Sequence, residues 1–175
     1  MTKQIPFKKL ALRSILLAVA GLLLTTQPAS AILQKGEAAP AIKLTTTSGQ
    51  PITLNNYKGY VLVMDFFATW CIPCKESIPH LNSLKQKYGK QGLQILGVSV
   101  DEGNDREVKS FITERKISYP VAVAGEDLQT EYGLRSIPTV YVINKRGMVA
   151  EKFQGYSDQT AKAMEETIKR LLAEQ

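Results

Sequence analysis

Apolar and polar positions alternate along this chain in blocks that predict its elements one after another. Pro40 to Gly59 holds two short alternating runs on either side of Ser48-Gly49, the pattern of a hairpin with turn residues at its centre. Tyr60 to Phe67 is nearly continuous apolar sequence, which predicts a central strand buried on both faces. From the cysteines at 71 and 74 to Tyr88, apolar residues recur at helical spacing through Ile78, Leu81, Leu84 and Tyr88. Pro73 falls in the first turn of that helix, where a missing N–H costs little, whereas Pro79 lies inside it and predicts a kink. Leu93 to Val100 predicts a second buried strand. Asn104 with Glu107 reads as a capping box opening a helix with Val108, Phe111 and Ile112 on its apolar stripe.

A short strand over Pro120–Ala124 and a short helix over Glu126–Tyr132, stopped at Gly133, come next. Thr139–Asn144 and Met148–Phe153 predict a hairpin around Lys145-Arg146-Gly147. Ser157 then caps a last amphipathic helix whose inner face is Ala161, Met164, Ile168 and Leu171. Strands alternating with helices and closed by a hairpin argue for a layered α/β domain with a mixed sheet.

The first 31 residues follow a different pattern. Lys3, Lys8, Lys9 and Arg13 form a basic stretch without an acidic residue, followed by the apolar run Ile15–Leu24 and the small-residue site Ala29-Ser30-Ala31. That run is about ten residues long, short of the roughly 20 needed to span a bilayer. Residues 1–31 are therefore expected to be a cleavable export signal and residues 32–175 the mature domain, with an uncleaved membrane anchor as the alternative. The residue directly after the expected cleavage point is Ile32 and not a cysteine, so a lipoprotein anchor is not expected. Export, to a periplasm or another extracytoplasmic space, is the expected destination. The signal also explains the charge: of a net +6, four positive charges lie in it, and the rest of the chain carries no basic cluster with interleaved aromatics. Nucleic acid is accordingly not an expected partner.

The chain has two cysteines, and both stand in Trp70-Cys71-Ile72-Pro73-Cys74. An exported domain could use disulfides for stability, but no third cysteine exists to pair with either of these. A zinc site needs about four ligands, and His80 is the chain's one histidine, so no stable metal is expected. A four-thiolate iron–sulfur cluster fails on the same count. Covalent haem attachment needs a histidine directly after the second cysteine, where Lys75 stands. Dithiol–disulfide exchange remains. At the start of a helix the unpaired N–H groups and the dipole favour an anion, so the Cys71 thiolate is stabilised and its pKa is expected below the free value of roughly 8.5. Cys71 is then the nucleophile and Cys74, one turn in, the resolving thiol.

Asp65 interrupts the apolar run six positions before Cys71. Either it points to solvent at a strand edge, or it lies buried under the cysteine pair with a strongly raised pKa. In the second case it is placed to shuttle protons to and from Cys74. His80 reads as a surface or packing residue.

Val63 to Lys75 (VMDFFATWCIPCK), Pro79 five residues after the second cysteine, and Ile137-Pro138-Thr139 together resemble the active-site strand, helix proline and cis-proline loop of the thioredoxin fold. The leading hairpin, and a stretch from Asp101 to Pro138 with room for an extra helix and strand, resemble the TlpA/ResA-like branch, which overlaps the peroxiredoxin-like superfamily. The resemblance implies a thioredoxin-like fold: a central mixed β-sheet flanked by helices, with an N-terminal β-hairpin and a helix/strand insertion. It implies a cis Ile137–Pro138 bond and a client-binding surface of Trp70, Ile137, Pro138 and Thr139. It also implies no bound cofactor, protein disulfide or dithiol clients, and a membrane electron donor of the CcdA/DsbD type. Members of this branch are typically exported or membrane-tethered oxidoreductases, often reductants in cytochrome c maturation. One departure stands out. ResA-like members carry a glutamate three residues after the second cysteine, where this chain has Ser77.

The expected function is reduction of disulfides in extracytoplasmic proteins. The Ile72-Pro73 dipeptide lacks the histidine that would further stabilise a thiolate and favour a strong oxidant. A thiol oxidase or disulfide isomerase on the same fold is the alternative. Peroxide reduction fits less well, because Thr69-x-Cys71 is out of register with P-x-x-x-T/S-x-x-C. A copper chaperone would need C-x-x-x-C and a distal histidine, and a pure binding module would not require the thiols.

Overall fold

A computed structural model describes residues 33–103 and 105–174. The export-signal expectations on residues 1–31, and a mature start at Ile32, lie outside the described residues. Val61–Phe67 forms a strand, β3, in which all seven residues are buried. This is the all-round burial that its continuous apolar sequence predicts. It lies at the centre of a five-stranded sheet ordered β5-β4-β3-β6-β7, with β4 at Leu93–Ser99, β5 at Val121–Val123, β6 at Thr139–Ile143 and β7 at Val149–Gln154. β4 runs parallel to β3 and β6 antiparallel to it, so the sheet is mixed. A separate hairpin, β1 (Lys43–Thr45) with β2 (Pro51–Thr53), precedes the sheet.

Both edges of the sheet are covered, which blunts strand-to-strand aggregation. The hairpin reaches β5 through a Thr46–Ala122 bridge and a Thr47 N–H donated to the Val121 carbonyl at 2.8 Å. On the other side Gly36 donates to the Val149 carbonyl at 2.8 Å, and Val149 donates back to Glu37 at 2.8 Å.

Alternation along β3 divides the core in two. Leu62, Met64 and Phe66 face the hairpin side, where Phe66, Tyr132 and Tyr141 pack with ring centroids 5.2–6.1 Å apart. Val61, Val63 and Phe67 face the helices α1 (Ile72–Tyr88), α2 (Arg106–Glu114) and α4 (Asp158–Ala173). α1 buries Ile78, Leu81, Leu84 and Tyr88 on this face and continues as one helix through Pro79. α4 begins at Ser157, whose hydroxyl accepts the Thr160 N–H at 3.2 Å, and buries Ala161, Met164, Ile168 and Leu171. A short helix, α3 (Glu126–Glu131), ends at Tyr132 ahead of Gly133, whose φ of 56° is one that glycine adopts without strain.

The capping-box expectation for α2 involves Asn104, which lies outside the described residues. α2 starts at Arg106 with Asp105 at the N-cap. Asp105 pairs with Lys109 one turn on, at 2.7 Å, so the acidic residue nearest the helix start serves an i,i+4 ion pair. The insertion between β4 and β6 is α2, β5 and α3.

Gly97 in β4 stands opposite Asp65 of β3. A Cβ there would meet Val121 at 3.0 Å and the Phe67 and Tyr119 rings at 3.2 Å, all three buried. Gly97→Ala is therefore expected to destabilise by about 1–3 kcal/mol through overpacking. Urea unfolding measures this; an unchanged midpoint would show that the three neighbours yield freely.

Candidate active site

The site assembles where three chain segments end at one edge of the sheet. β3 ends at Phe67 and passes through Ala68-Thr69-Trp70 into α1, and β4 ends beside it at Ser99. β6, antiparallel to β3, begins at the same edge with Thr139 opposite Phe66. The loop before it carries Pro138, whose bond to Ile137 is cis. Ile137 is half-buried and packs against both core clusters, one of which holds the two cysteines.

Cys71 is the N-cap of α1, and Cys74 lies in its first turn. Their sulfurs are joined at 2.09 Å. The Cys74 N–H points at Cys71 Sγ, 3.3 Å away, so the sulfur occupies the position that a capping oxygen would take. No acidic side chain sits in the first turn, while Lys85 and Lys87 sit in the last. The charged side chains thus complement the dipole at the C-terminus and leave the N-terminus to the sulfur. Cys71 is 5% exposed and Cys74 is fully buried, so attack from outside reaches Cys71 first. Trp70 and Ile72, on either side of Cys71, are 67% and 68% exposed, an apolar pair unusual on an otherwise polar surface. Pro138 and Thr139 are buried, and the Thr139 hydroxyl donates to the Ser136 carbonyl at 2.7 Å.

The loop before Cys71 is clamped by a residue to which the sequence assigned no role. Asp101, just past β4, accepts the Thr69 N–H at 3.0 Å, the Thr69 hydroxyl at 2.7 Å and the Ser99 hydroxyl at 2.6 Å. A carboxylate receiving three donors, two of them from Thr69 across 32 residues of chain, fixes where the loop crosses from strand to helix. The sequence signal for it is an aspartate at the predicted end of a buried strand, visible but not distinctive.

Asp65 is 1% exposed, on the same face of β3 as Val63 and Phe67. The solvent-facing alternative is therefore excluded. Neither carboxyl oxygen has a hydrogen-bond partner among the described residues, and burial pushes its pKa up to about 7. His80 is half-buried, with its ring 6.3 Å from that of Tyr156, and desolvation lowers its pKa. Among the described residues, no three of His, Cys, Asp and Glu come together as metal ligands would.

A carboxyl whose pKa is about 7 folded and 3.8 in its ordinary state holds more protons folded than unfolded between those pH values. Its ionisation removes stability as pH rises through that window. Asp65→Asn is thus expected to gain stability relative to the parent between about pH 4 and pH 7, by up to about 4 kcal/mol. Urea unfolding of the oxidised proteins across that range reads the difference. A difference that stays constant with pH would contradict an unpartnered buried carboxyl.

Comparison with known proteins agrees with this geometry. The AhpC/TSA family model matches residues 35–152. The thiol-disulfide oxidoreductase ResA of Bacillus thuringiensis subsp. konkukian is 34% identical over 141 residues, covering 79% of each chain. The thioredoxin-like protein YneN of Bacillus subtilis is 27% identical over 137 residues, 78% of this chain and 79% of that one. A crystal structure of a thiol:disulfide interchange protein of the thioredoxin family from Chlorobium tepidum superposes with a TM-score of 0.70 at 27% identity, covering 80% of this chain and 99% of the other. The chain belongs to the AhpC/TSA family, as a thiol–disulfide oxidoreductase with a thioredoxin-like fold.

Proposed function

We propose that this protein is an exported reductant of disulfides in extracytoplasmic proteins, with Cys71 as nucleophile and Cys74 as resolving thiol. The observation that carries the assignment of roles is the asymmetry of the pair: Cys71 at the helix N-cap beside two exposed apolar side chains, Cys74 fully buried one turn in. The reduced Cys71 thiolate attacks a client disulfide, forming a mixed disulfide and releasing one client thiolate. Cys74 gives its proton to the Asp65 carboxylate and attacks Cys71 Sγ. The mixed disulfide breaks, the second client thiolate leaves, and two electrons have passed to the client. The protein is left with the Cys71–Cys74 disulfide.

Trp70, Ile72 and Ile137 offer an apolar footing for the client beside the cysteines, and the backbone at Pro138 an edge along which an extended segment lies. The basic, apolar and small-residue order of residues 1–31 supports export by a cleaved signal. A reductant in an oxidising compartment must be reduced again, and a membrane dithiol carrier of the CcdA/DsbD type supplies those electrons. Clients in cytochrome c maturation follow from the resemblance to the TlpA/ResA-like branch alone, and Ser77 replaces the glutamate of that branch, its hydroxyl donating to the Cys74 carbonyl at 2.9 Å. Peroxide reduction is disfavoured by Thr69, whose hydroxyl is committed to Asp101.

Trapping tests the assignment. Cys74→Ser is expected to accumulate a mixed disulfide with a disulfide-containing peptide, visible by mass spectrometry on residue 71. Cys71→Ser is expected to lose exchange by at least about a hundredfold, since the nucleophile is gone. Trapping through Cys74 in the Cys71→Ser variant at the parental rate would reverse the roles.

A further inference from the structure

Asp65 has a neighbour to which the exchange reaction gives no part. Gly97, its partner in the parallel ladder, leaves the sheet surface beside it bare. The Tyr119 ring fills that space, with Cε2 3.2 Å from where a Cβ on Gly97 would stand. Tyr119 lies in the loop before β5 and is 5% exposed. Its hydroxyl is buried and has no hydrogen-bond partner among the described residues, and the same holds for both oxygens of Asp65. Buried hydroxyl and carboxyl groups are rarely left unbonded, and three such atoms from two side chains on one patch of sheet suit a bridging water.

We propose that Tyr119 is the positioning partner of Asp65: its phenol donates through one buried water to the Asp65 carboxylate and sets the pH at which that carboxyl exchanges a proton with Cys74. The proposal rests on the thiol-exchange reading of the site. The two groups sense one another, since the charge of Asp65, after burial, raises the Tyr119 pKa well above 10. The phenol therefore stays protonated across the working range and acts as a donor to the ionised acid, never as a rival base. A neutral donor favours the carboxylate less than a cation would, so it offsets the effect of burial on Asp65 only in part.

Among the described residues, Asp65 is the one acidic or basic residue that is buried. α1 contributes Cys74 and Tyr88, and the Tyr88 hydroxyl is committed to Glu165 of α4 at 2.6 Å. Cys71 precedes α1. His80 of α1 lies against Tyr156 and under the charge of Glu165. The buried residues that α2, α4, β5 and β6 turn to this cluster are Val108 and Phe111, Met164, Ile168 and Leu171, Val121, and Val140 and Val142, none of which titrates.

Tyr119→Phe removes the donor and keeps the ring. The Asp65 carboxyl, followed by 13C NMR in the full chain, is expected to titrate about one pH unit higher in this variant, because a bond to the ionised form is lost. The rate of Cys74 attack on a preformed mixed disulfide should shift its pH midpoint by the same amount. In an Asp65→Asn background the same substitution should leave the pH profile unmoved. Site-specific fluorotyrosine at 119, a stronger donor, is expected to move the Asp65 titration the other way. A merely structural tyrosine would alter the melting temperature and leave both midpoints in place, and unmoved midpoints in both variants overturn the proposal. The Asp65 titration reads out whether or not the protein turns over client. An inactive parent would therefore refute the exchange reading, while the shift still decides the pairing.

Discussion

Everything at this site depends on a helix that starts at a sulfur atom. The Cys74 N–H is directed at Cys71 Sγ, in the geometry by which an ordinary helix start satisfies one of its free donors. A thiolate there gains from both the N–H groups and the dipole, whereas Cys74, fully buried within the helix, is shielded from solvent. One placement thus makes two chemically identical thiols unequal, the asymmetry on which the proposed attacking and resolving roles rest. The Asp101 clamp on Thr69 fixes the approach of the chain to that start, so the position of Cys71 is set from β4 as well as from β3.

The buried acid is the cost that the fold carries for this arrangement. An apolar residue at position 65 would complete β3, yet an aspartate stands there with neither oxygen hydrogen-bonded among the described residues. Its proton affinity rises to about 7, which is where a group must titrate to exchange protons with a thiol near neutral pH. Gly97 and Tyr119 belong to the same local compromise: the glycine leaves room beside the acid, and a ring with a polar tip occupies it.

Much of this was legible beforehand, for identifiable reasons. The central strand, the cysteine helix and the capped last helix have strong periodic patterns and packed into those elements at nearly the expected bounds. Cys71, Cys74 and the Ile137-Pro138-Thr139 loop carry short motifs whose residue types are constrained by chemistry. The ion pair of Asp105 with Lys109 at the start of α2 was not anticipated, because surface charges four apart pair only where the helix register brings them together. Asp101 and Tyr119 were given no role because their importance comes from contacts across 32 residues of chain or across a strand pair, which spacing along the sequence does not encode.

In the proposed function a stabilised attacking thiol, a buried resolving thiol and the acid Asp65 form a site that gives electrons away. The equilibrium reduction potential of Cys71–Cys74, taken against a dithiothreitol or glutathione series, tests that claim most directly. The account predicts a value near that of thioredoxin, roughly −270 mV, as suits a donor of electrons kept reduced from outside. A value near roughly −120 mV would mark a disulfide donor and contradict it.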